Sequence, residues 1–117
     1  MAVIVTSDAP AALLSAIKQA IDDGSVVTWS YDKDGDFSHS PEQWFRLAWL
    51  HPRVDEERLV FNILPRKDKP ISRTVYAIYH GRFIEMLLTH FDTKFQRAVA
   101  TAMPTSGDLV KPSGSSG

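Results

Sequence analysis

An α+β domain, with helices packed on one face of a four-stranded antiparallel sheet, is the fold class this sequence predicts, and three observations predict it. An amphipathic segment near the N-terminus is followed by several short runs of alternating apolar and polar residues. The links between those runs are short and polar, which suits a meander of neighbouring antiparallel strands. After Gly81 the apolar period lengthens from two to between three and four, the signature of a return to helix.

The first predicted element is a helix from Ala9 to Asp23, with Ser7 or Asp8 as its cap, Pro10 in its first turn and Gly24 after its end. Those residue types satisfy or spare the orphan N–H groups at a helix start and stop the helix at its end. Leu13, Leu14, Ile17, Ala20 and Ile21 make its apolar stripe. The next predicted element is a strand over Val26–Tyr31, with Val27, Trp29 and Tyr31 on one side. Asp32-Lys-Asp-Gly-Asp36 then supplies turn chemistry.

Residues 43–51 admit two readings. Ser40-Pro41-Glu42-Gln43 resembles a capping box, which argues for a helix. Phe45, Leu47 and Trp49 alternate with Trp44, Arg46 and Ala48, and Pro52 closes the run early, so a strand is the preferred reading. A further strand is predicted over Arg58–Leu64, joined through the polar link Arg53–Glu57, and a fourth over Thr74–Tyr79. Phe83, Met86, Leu87, Phe91, Phe95, Ala98, Val99 and Ala102 then predict a C-terminal helix or helix pair, divided near Asp92-Thr93. The folded domain is expected over residues 1–103. Residues 104–117 have the composition of a flexible tail, and their Gly/Ser end that of a cloning remnant.

Composition narrows function without naming it. The chain has 117 residues, 44% of them hydrophobic and 23% charged, with 13 Lys+Arg against 14 Asp+Glu for a net charge of −1. So even a balance gives no long-range field toward nucleic acid or an anionic membrane. Cysteine is absent, which removes thiol chemistry and fits a reducing, cytoplasmic compartment. The N-terminus lacks a basic region before its apolar run, and no apolar stretch approaches a membrane span, so the expectation is a soluble protein.

The motifs are few. Asp32, Asp34 and Asp36 match the opening of a calcium loop, but Phe37 stands where that loop needs glycine and Gln43 where it needs a bidentate glutamate. Plain turn chemistry explains the acidic residues equally well, and no metal or cofactor is expected. His39, His51, His80 and His90 have no zinc-binding spacing. His80, Arg82, Glu85, His90 and Asp92 form a polar neighbourhood that an enzyme or small-ligand binder would use, although spacing does not favour it. The basic segment Arg66-Lys67-Asp68-Lys69, with Arg73, reads as a solvated loop.

Parity assigns Val27, Trp29, Phe45, Leu47, Trp49, Leu59, Phe61, Ile63, Val75, Ala77 and Tyr79 to the helix-covered side of the sheet. The other side would carry Trp44, Arg46, Leu50, Tyr76 and Ile78. That half-apolar face is the expected interaction surface, with self-association into a homodimer or docking of a protein partner as the expected function. Single-stranded nucleic acid on the same face is the alternative. The even charge and the absence of a ribonucleoprotein signature make it the weaker one.

Overall fold

A computed structural model describes residues 2–67 and 69–102. The elements are β1 (Ala2–Thr6), α1 (Pro10–Asp22), β2 (Trp29–Tyr31), β3 (Phe37–His39), β4 (Ala48–Asp55), β5 (Arg58–Pro65), α2 (Arg73–Phe91) and β6 (Arg97–Ala100). They form one antiparallel sheet in the order β2-β3-β4-β5-β1-β6, flanked by two helices. The α+β class stands, with six strands in place of four. Three of the predicted strands persist, shortened or shifted, as β2, β4 and β5; β3 at Phe37–His39, β1 and β6 are strands the sequence does not predict.

Three longer segments also differ from their predicted state. Ala2–Thr6 is an inner strand, paired with β5 through Ile4 and Val60 and with β6 through Ile4 and Val99. Thr74–Tyr79 is not a strand but the start of α2. Ser72 caps that helix by accepting a hydrogen bond from the Val75 N–H at 3.1 Å. The β-prone run Val75-Tyr-Ala-Ile-Tyr79 is overridden because helical spacing places Tyr79, Phe83, Met86, Leu87 and Phe91 together in the core, and packing outweighs intrinsic preference. The second half of the expected C-terminal helix is a turn followed by β6, which closes against β1. The expected tail, residues 104–117, lies outside the described residues.

Helix α1 follows its prediction, apart from the cap. Ala9 occupies the N-cap position without a side-chain bond. Ser7 instead turns its hydroxyl across the fold, donating to the Lys94 carbonyl at 3.0 Å and accepting from the Ala9 N–H at 3.1 Å. This one side chain ties the start of α1 to the approach of β6.

The region 41–51 is split. Residues 41–47 form tight turns, closed by the Trp44 and Phe45 N–H groups on the Pro41 carbonyl at 2.8 and 3.0 Å. The strand begins only at Ala48 and runs through Pro52 to Asp55. Proline is tolerated there because β3 meets β4 at the Phe37–Leu50 pair alone; beyond Leu50 that edge of β4 has no neighbour among the described residues. Starting the strand at Ala48 also corrects the facing of this segment. Leu50 points into the core with no exposure, and Trp49 points the other way.

Candidate interaction surface

The two sheet faces separate cleanly. Val3, Val5, Trp29, Phe37, Ala48, Leu50, Leu59, Phe61 and Ile63 share one buried cluster with Leu13 and Ile17 of α1 and with Tyr79, Phe83, Met86, Leu87 and Phe91 of α2. Ring contacts fasten the layers, with Phe61–Phe83 centroids 4.5 Å apart and Trp29–Phe83 4.9 Å apart. Both helices therefore cover the same face. The opposite face carries Ile4, Val60, Leu64, Trp49 and Val99, none of which joins that core.

Cross-strand register orders this helix-free face into rows. Val99, Ile4, Val60 and Arg53 form one, Ala2, Asn62 and His51 the next, and Leu64 with Trp49 a third. Ala2, Val60 and Asn62 make a buried floor; Ile4, Trp49 and Leu64 are half-buried, His51 and Arg53 exposed. Val99 is 46% exposed. Among the described residues, no helix or strand lies over this face.

The residues expected on that face are distributed differently. Leu50 is core. Tyr76 and Ile78 sit half-buried on the first turns of α2. Trp44 is half-buried and Arg46 exposed, both in the 41–47 turn. Of the side chains on the true face, parity counted from Phe45 hid Trp49. The three-residue Asn62 frame (Val60, Asn62, Leu64) was legible, because Arg58–Leu64 is a strand as predicted.

The 41–47 turn has its own architecture. Tyr79 donates its phenolic hydrogen to the Trp44 carbonyl. The Ser38 Oγ lies 3.0 Å from the Tyr79 oxygen and accepts from the Arg46 N–H at 2.9 Å. Held this way, Arg46 takes a left-handed backbone, φ 62°, which costs an L-residue about 1–2 kcal/mol. Its guanidinium lies over the ring of Phe45, 5.1 Å from the centroid, and Phe45 itself is 42% exposed.

The polar neighbourhood of α2 does not converge. His80 is buried, its Nδ1–H donating to the Tyr76 carbonyl at 2.7 Å. Arg82 and Glu85 form an exposed ion pair at 3.3 Å, and His90 and Asp92 stand exposed at the helix end. No described contact joins these three groups. His39 is buried as well, although sequence spacing gave no reason to single it out. Its ring lies 4.6 Å from that of Trp29, and its Nδ1–H donates to the Thr28 carbonyl at 2.8 Å. Burial pushes its pKa below the ordinary imidazole value, only partly offset by that hydrogen bond.

Asp32, Asp34 and Asp36 do bring carboxylate oxygens within 4.8 Å of one another. Local bonds account for the arrangement. Asp32 Oδ1 accepts from the N–H groups of Asp34 and Asp36 at 2.9 and 3.0 Å, and Asp36 meets His51 Nδ1 at 2.6 Å. A shallow cleft of about 300 Å³ lies between the start of α1 and residues 93–96. No described helix is long and apolar enough to cross a membrane.

Comparison with protein-family models, curated proteins and solved structures finds no match to this chain.

Proposed function

We propose that this chain is a small, non-enzymatic interaction domain that binds protein, a second copy or another partner, through the helix-free face of its sheet. The observation that carries the reading is the segregation of both helices to one side. That leaves Ile4, Trp49, Leu64 and Val99 on the other, with Arg53 beside them. A half-apolar patch that includes an aromatic and an arginine has the composition of a binding hot spot. Trp49, Leu64 and Arg53 take the role that Trp44, Leu50, Tyr76 and Ile78 were expected to fill. The cysteine-free composition supports a cytoplasmic setting.

The test is the pair Trp49→Asp and Val99→Asp. The doubly substituted protein should keep its circular dichroism and lose association with itself or with its partner. Unchanged association in that variant would remove the face from consideration.

A second reading is single-stranded nucleic acid on the same face, favoured by Trp49 lying near Arg53 and His51. Stacking on Trp49 would quench its fluorescence. Titration with an oligonucleotide at low salt, compared with Trp49→Phe, distinguishes this reading from protein binding.

A further inference from the structure

The sheet ends in two outer strands, β2 and β6, and they differ in what they offer to another chain. Strand β2 is three residues long, and its Tyr31 is tied to Asp22 of α1 by hydrogen bonds of 2.7 and 2.9 Å. The stretch of β4 beyond Leu50 is also unpaired on one side among the described residues, but there Pro52 removes a donor and Arg53 and Asp55 add charge. Short length, proline and charge are the devices that keep a sheet edge from pairing with another chain. Strand β6 has no proline and one charged residue, and Arg97, Val99 and Ala100 are all exposed.

The register fixes which backbone groups of β6 face outward. In an antiparallel ladder alternate residues exchange hydrogen bonds with the neighbouring strand, and the residues between them turn their N–H and C=O groups away from it. The Thr101 N–H donates to the Ala2 carbonyl at 2.8 Å. Counting back by twos, Val99 and Arg97 also bond to β1, and Ala98 and Ala100 present their N–H and C=O groups to the free edge. No described strand lies beyond them.

The surroundings of this edge select the kind of chain that fits it. Only an extended backbone has donors and acceptors at the spacing that meets Ala98 and Ala100 together. Lys94 and Arg97 are exposed, and no described ion pair engages either; they favour carboxylates in the incoming segment. Val99, 46% exposed on the helix-free side, favours an apolar residue beside it, since cross-strand apolar neighbours stabilise a sheet.

We propose that β6 accepts an extended, acidic segment of a protein partner as a further strand of the sheet. This surface is the sheet edge, distinct from the helix-free face except at Val99, so the two readings stand or fall separately.

Selection of a displayed random decapeptide library against the full chain tests the proposal, with a synthetic copy of the enriched peptide as the probe thereafter. Enriched peptides should alternate apolar with other residues and carry Asp or Glu. The bound peptide should slow amide hydrogen exchange at Ala98 and Ala100. Ala98→Pro deletes an outward donor while sparing the Arg97 and Val99 bonds to β1, and should weaken binding by roughly tenfold or more. Ala100→Pro, nearer the strand end, should do the same and replaces it if circular dichroism shows Ala98→Pro unfolded. A library that yields no binder of the wild type overturns the proposal. So does a bound peptide that leaves exchange at Ala98 and Ala100 unchanged, or one that binds a folded proline variant as tightly as wild type. Trp49→Asp, on the helix-free face, should bind the peptide as wild type does; loss of binding there would move the site to that face and overturn the edge.

Discussion

Tyr79 of α2 donates its phenolic hydrogen to the backbone carbonyl of Trp44, joining the second helix to the turn that precedes β4. Both partners belong to a buried set in which Ser38 bridges the Tyr79 hydroxyl and the Arg46 N–H. Tyr79→Phe would remove one of two donors from the Trp44 carbonyl, which keeps the Leu47 N–H at 3.2 Å. A loss of about 0.5–1.5 kcal/mol in unfolding free energy is expected, the net worth of one intramolecular hydrogen bond, measurable by urea denaturation.

Arg46 holds a left-handed backbone that glycine adopts freely. Arg46→Gly relieves that strain and gives up the stacking on Phe45, worth ~0.5–1 kcal/mol at an exposed site. The net expectation is a protein more stable by about 0.5–1 kcal/mol. Urea denaturation beside wild type measures it, and a destabilised variant would show that the arginine side chain supports the turn.

His39 is held neutral in the native state, its pKa lowered chiefly by burial. The unfolded chain therefore takes up a proton at higher pH than the folded one. Its contribution to stability is complete above the ordinary histidine pKa and declines as pH falls through ~6.5 toward the folded value. Arg82 opposes the imidazolium and Glu85 favours it, both from α2. Chemical denaturation at a series of pH values from 7 to 5 should show stability falling on acidification. His39→Gln should flatten that slope within the window.

The two faces of β4 make a further contrast. Leu50 is buried without exposure, so Leu50→Ala should cost about 2–5 kcal/mol. Trp49→Asp, on the helix-free side, should leave the protein folded with its thermal transition still cooperative. Equal losses in the two variants would contradict the facing of this strand.

Local chemistry alone specified α1, the turn at Asp32–Asp36 and strand β5, with Leu59, Phe61 and Ile63 toward the core. It also specified the α+β class. Each of these follows from a period or a turn residue within one short window. The packing of both helices on one sheet face was settled only by the shared core. Which residues occupy the other, bare face was likewise decided by the tertiary structure. Residues 41–47 form a turn held by Tyr79 and Ser38, alternation starts at Ala48, and a slip of one residue sends every side chain of a strand to the opposite side. Thr74–Tyr79 became helix and Arg97–Ala100 became strand for a related reason. Both runs are too short for propensity to settle, and the partners that settle them, the sheet core and β1, lie far away along the chain.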